Sequence, residues 1–271
     1  MTFRCALIWV VVGFSGVGVR AGFAQGDADP TTLLRVAVDK LDQTKQARNR
    51  FTYLDLNHTR NFNEKGKSTA DSSHLYEVTY IADLQYSRLL EENGKPLKGK
   101  ALEEEQRRYD DAIRDRAALD DKARAALQRT MMKSAGVDLS VLPTAFHSTV
   151  VSHTTQDGRD CLLVDSTPLP GAPRKHYWVW LDPVAKEVVR IDFDQLADEG
   201  DMLRGATGSK AWTYIDGTPL LASSHVDARV LLNDKKTLRV VVDHTHTRFR
   251  RFSATSKIVA VEPEDKATPP Q

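Results

Sequence analysis

Two histidines one residue apart, His244 and His246, are the side chains in this sequence best placed to do chemistry. On a strand both imidazoles project from one face, because side-chain direction repeats every two residues. A zinc ion would need at least one further ligand. His225 on the preceding strand could supply it only by standing opposite His244. Pairing Val226, Ala228, Val230 and Leu232 with His244, Val242, Val240 and Leu238 matches the apolar faces better and turns His225 away. A slip of one residue would exchange every face, so the matched register is preferred. His244 and His246 are therefore an incomplete ligand pair, and no metal or cofactor is expected.

The other reactive residues point the same way. Cys161 stands in the strand-like run Cys161-Leu-Leu-Val164, as a small buried side chain would, with no local histidine or cation to activate it. Asp192 and Asp194 alternate with Ile191 and Phe193, the ordinary pattern of a half-exposed strand. The chain beyond residue 24 lacks a Gly-x-Ser-x-Gly elbow, a His-Glu-x-x-His motif, a phosphate-binding loop and a cysteine pair. A non-enzymatic protein is expected. The aromatic residues suggest binding instead. His176-Tyr-Trp-Val-Trp-Leu181 is apolar on both faces, with Trp178 and Trp180 on one and Tyr177, Val179 and Leu181 on the other. Such a strand must be covered on both sides or line an apolar pocket. Trp178, Trp180, Phe193 and Trp212 are the candidate cavity-wall residues.

These residues are positioned by mostly β-rich elements. Asp29 and Pro30 open a helix to about Arg48, with Leu34, Ala37, Val38 and Leu41 as its apolar stripe. Strands follow over 51–56, 75–81 and 84–90, closed by Asn93-Gly94. A charged helical stretch at about 101–134 carries a thin stripe of Leu102, Tyr109, Ile113, Ala123, Leu127 and Met131. Eight strands are then predicted, at 146–155, 159–167, 175–182, 186–196, 209–216, 220–232, 237–249 and 252–260. Asp157-Gly158, Asp182-Pro183, Asp216-Gly217 and Asn233-Asp234 mark the turns. Short connections make neighbours antiparallel. The predicted fold is α+β: a curved, unclosed antiparallel half-barrel with helices covering its concave face.

Residues 1–24 read as a secretory signal peptide. Arg4 precedes an apolar run, and Gly22 and Ala24 stand at the −3 and −1 positions of a cut before Gln25. The run is short of the roughly 20 residues needed to span a membrane, so no integral span is expected in the mature chain. The domain is expected over 25–261, with a flexible tail at 262–271. The formal charge of +1 leaves no electrostatic footprint for nucleic acid.

The order of elements resembles a known group. An exported chain begins with a helix and continues through Phe51-Thr-Tyr and Asn93-Gly-Lys-Pro-Leu97 to a charged helical insert. It then runs through Gly158-Arg-Asp-Cys-Leu-Leu-Val164, Trp178-Val-Trp-Leu-Asp182, Val188-Val-Arg-Ile-Asp192 and Phe249-Arg-Arg-Phe252. This resembles the LolA/LolB/RseB superfamily of outer-membrane lipoprotein carriers and sensors, over most of residues 30–260. The resemblance implies a periplasmic protein whose cavity holds a lipid or lipoprotein acyl chain. The alternative is an envelope protein-protein interaction or sensor module that uses the charged insert. It transfers no functional residue, because no position matches a ligand-contacting motif one to one.

Overall fold

In a computed structural model of the protein, residues 29–134, 139–232 and 236–251 are described. The expected signal segment, the strand at 252–260, the turn at Asn233-Asp234 and the tail at 262–271 lie outside them. Helix α1 (Pro30–Gln43) and the short α2 (Lys45–Arg48) lead into β1 (Phe51–Phe62), β2 (Ser68–Ile81), β3 (Leu84–Glu92) and β4 (Lys95–Pro96). Helices α3 (Gly99–Ala117), α4 (Asp121–Ser134) and α5 (Leu142–Ala145) follow. The remaining strands are β5 (Phe146–Gln156), β6 (Arg159–Pro168), β7 (Lys175–Asp182), β8 (Glu187–Gln195), β9 (Thr207–Ile215), β10 (Thr218–Leu231) and β11 (Thr237–Arg251).

All belong to one 11-stranded antiparallel sheet in the order β4-β3-β2-β1-β11-β10-β9-β8-β7-β6-β5. The sheet is open, with β4 and β5 at its edges, as the predicted half-barrel requires. Every strand pair but one joins neighbours in sequence. The exception, β1 with β11, aligns Asp55 with His246 and Asn57 with His244.

The local signals hold where turns are tight. Asn93-Gly94, Asp157-Gly158 and Asp216-Gly217 each place both central residues at positive φ. That geometry matches the right-handed twist of the flanking strands and favours Asn or Asp followed by Gly.

Helix α1 starts where Asp29 accepts hydrogen bonds from the Thr31 and Thr32 backbone N–H groups, with Pro30 in the first turn. Its stripe of Leu34, Ala37, Val38 and Leu41 is buried against Val179, Leu181, Val188, Ile191 and Phe193 of β7 and β8. Burying each large apolar side chain contributes about 1.5–3 kcal/mol. The helix is also pinned by charge. Lys40 donates to Glu187 at 2.7 Å and to the Ala185 carbonyl at 3.1 Å. Glu187 also receives Arg159, which bonds Asp182 as well. The face of the sheet under α1 is called inner below.

Helix α3 packs beside β3. The expected stripe residues Leu102 and Leu127 are exposed, and the side chain buried on α3 is Glu105, at 1% exposure. Glu105 accepts from the Leu89 backbone N–H and the Tyr86 hydroxyl, each at 3.2 Å, and pairs with Arg108. Arg116 donates to the Leu84 carbonyl at 2.7 Å. The helix therefore satisfies backbone groups of β3 beyond the two-residue β4, and blunts a sheet edge that could otherwise recruit another strand. Periodicity could not show this, because the pairing uses polar side chains.

Candidate functional site

The inner face has two parts. Over β5 to β9 it is filled by α1. Over β10, β11, β1 and β2 it continues through residues aligned in rows across the strands. One row runs Phe193, Gly208, Val226, Val242 and Thr59, and another runs Ser224, His244, Asn57 and His74. Val226, Val240 and Val242 form a half-buried apolar strip along β10 and β11. The strip ends at Ser224 and His244.

Past that end lies a cluster of titratable side chains, Asp55, His244 and His246. His244 Nδ1 stands 3.0 Å and 3.2 Å from the two carboxylate oxygens of Asp55, and His246 Nε2 stands 3.4 Å from Asp55 Oδ1. His246 Nδ1 donates to the Leu221 carbonyl at 2.8 Å. The Tyr53 ring packs 4.9 Å from the His246 ring and 5.5 Å from Phe249. Burial alone would raise the Asp55 carboxyl, but hydrogen bonds from His244 and His246 outweigh it and bring the pKa to about 2. Burial pushes the Tyr53 phenol well above its ordinary range.

Asp55 is the member that sequence reasoning missed. It sits between Leu54 and Leu56 as an ordinary polar alternation, and its partners lie at the far end of the chain. His225 points to the outer face, as expected, where Asp243 lies 2.6 Å away and also receives Arg60. The β10–β11 register differs from the expected one by two residues: Val226 faces Val242, and Ser224 faces His244. A shift of two keeps every side chain on its face.

The four candidate wall residues divide between the faces. Phe193 and Trp212 are buried on the inner side, in the core under α1. Trp178 and Trp180 are half-buried on the outer side. The Trp178 ring lies 4.0 Å from the His176 ring, and the Arg190 guanidinium lies 5.6 Å from the Trp180 ring. A single cavity therefore cannot be lined by all four. Cys161 is a buried free cysteine, and burial raises its thiol pKa.

No protein-family profile and no curated protein sequence matches the chain. Solved structures do align with it. A DUF1329 family protein from Desulfovibrio piger aligns at TM-score 0.34 and 11% identity, over 84% of this chain and 95% of that one. A LolA superfamily protein from Nitrosomonas europaea aligns at TM-score 0.31 and 9% identity, over 80% and 94%. MucB in complex with MucA(peri) aligns at TM-score 0.24 and 12% identity, over 80% and 100%. Among the described residues no helix is long and apolar enough to cross a membrane.

Proposed function

We propose that this protein is a non-enzymatic, periplasmic binding protein that holds a lipid or lipoprotein acyl chain on the inner face of its sheet. The observation that carries this reading is the half-buried strip of Val226, Val240 and Val242, which extends the inner face beyond the cover of α1. An acyl chain laid there would bury apolar surface at about 25 cal/mol per Å². Its polar end would meet Ser224 and His244. Phe193 and Trp212 lie on the same face, packed in the core beside the strip, whereas Trp178 and Trp180 lie on the outer face. The signal-like segment 1–24 supports export to the periplasm. The test is native mass spectrometry of protein purified gently from a bacterial periplasm, with organic extraction of what co-purifies. A near-stoichiometric lipid supports the reading, and a clean protein mass counts against it.

A second reading, an interaction or sensor module, is favoured by α3. Next to it runs an open groove of about 570 Å³. Leu89, Leu97 and Ala101 are apolar in its lining, and Glu104, Arg107 and Asp111 are charged. Because α3 caps β3, deleting the insert would disturb the sheet. Charge reversal at Arg107 and Asp111 is the cleaner probe: loss of a captured envelope protein with the fold intact supports this reading.

A further inference from the structure

We propose that Asp55, His244 and His246 form a binding site for a divalent first-row transition-metal ion of the zinc type. The site does not depend on the acyl-chain reading. Two imidazoles and one carboxylate suit zinc and its neighbours in that row. One ligand atom from each residue lies within 4.8 Å of the other two. Ligands about 2.0–2.2 Å from a tetrahedral ion stand about 3.3–3.6 Å apart. The separations of 3.0 Å and 3.4 Å from Asp55 Oδ1 to His244 Nδ1 and His246 Nε2 need little adjustment to meet this.

The hydrogen bonding gives a second, independent argument. A carbonyl only accepts, so the proton on His246 Nδ1 is fixed by Leu221. In the neutral ring, Nε2 then presents its lone pair to a carboxylate oxygen. Two electron-pair donors that face each other call for a cation between them, either a proton or a metal ion. A backbone carbonyl on the far nitrogen is also the usual way in which a ligating histidine is oriented. The Asn57 side-chain nitrogen, a donor, stands 3.5 Å from His244 Nε2; a metal on Nδ1 puts the ring proton on Nε2, so the Asn57 amide must turn its oxygen to that atom when the ion binds. Register explains why the three converge: Asp55 faces His246 directly across β1 and β11, and His244 is two residues along the same face.

The experiment uses the protein stripped with a chelator and titrated with zinc or cobalt(II). Binding is followed by calorimetry, by elemental analysis after gel filtration, and by cobalt visible absorption. The expected result is one ion per chain, with a cobalt spectrum of low coordination number. His244→Ala combined with His246→Ala should weaken binding at least about 100-fold, and His225→Ala on the outer face should leave it unchanged. Circular dichroism verifies the fold of each variant. If the double variant does not fold, His246→Gln and the cobalt spectrum decide the matter. Absence of stoichiometric binding in the stripped wild type would overturn the site and leave a proton as the bridging cation. Undiminished binding in a folded ligand variant would overturn it equally. Neither result bears on lipid retention.

Discussion

His244 and Asp55 stand 189 positions apart in the chain, yet their side chains meet at 3.0 Å. The contact exists because β1 and β11 are, among the described residues, the one strand pair that joins distant parts of the sequence. It places a carboxylate against two imidazoles on the inner face, at the end of an apolar strip. The carboxylate, the histidines and the strip each give rise to a measurable consequence.

The Asp55 carboxyl is held at about 2 in the folded protein, below its ordinary value of 3.8. A depressed folded-state pKa contributes stability that is present above the unfolded value and lost as pH falls toward the folded one. The contribution is about 2 kcal/mol and should vanish between roughly pH 4 and pH 2. Urea midpoints measured over that range should fall more steeply for the wild type than for Asp55→Asn. Parallel slopes would refute the assignment.

Gly208 lies opposite Phe193, on the row that crosses both halves of the inner face. A Cβ there would sit 2.4 Å from the Phe193 ring and 2.8 Å from the His225 carbonyl oxygen. Gly208→Ala should cost about 1–3 kcal/mol through overpacking. Adding Phe193→Leu should recover part of the loss, because the backbone carbonyl stays in place. Chemical denaturation of both variants gives the answer, and an unchanged Gly208→Ala midpoint would contradict the packing.

Glu105 joins α3 to the edge of β3. Glu105→Ala leaves the Leu89 N–H and the Tyr86 hydroxyl without their acceptor, at a cost of about 1–3 kcal/mol. It also reopens a strand edge, so concentration-dependent association should appear in gel filtration. Glu105→Gln keeps an acceptor oxygen and should retain most of the stability. A monomeric, fully stable Glu105→Ala variant would show that the edge is protected by other means.

Lipid retention should distinguish the two sheet faces. Val242→Asp puts a charge in the apolar strip and should lower the amount of co-purifying lipid severalfold. Trp180→Asp, on the outer face beside Arg190, should leave it near the wild-type amount. The reverse pattern would move the binding surface to the outer face.

The sequence by itself determined the elements that depend on near neighbours. Helix α1 follows from Asp29, Pro30 and the spacing of Leu34, Val38 and Leu41. The turns at Asn93-Gly94 and Asp216-Gly217 follow from residues that tolerate positive φ. Antiparallel order followed from short connections, and the resemblance pointed to an open sheet. Side-chain alternation correctly separated Trp178 and Trp180 from Tyr177 and Val179, but it could not say which face α1 would cover.

Tertiary structure alone decided what depends on distant pairing. Apolar matching settled which face of β10 meets which face of β11, but not the register, since a shift of two preserves both faces. Nothing local marks Asp55 as the partner of His244 and His246, because a carboxylate between two leucines looks like any half-exposed strand. Glu105 was equally hidden: a buried acid breaks the apolar pattern from which helix faces are read, and its reason is the backbone of a strand edge. Pattern reports local propensity and burial. It does not report which polar groups the assembled sheet brings within hydrogen-bond distance, and both the cluster and the edge cap consist of such groups.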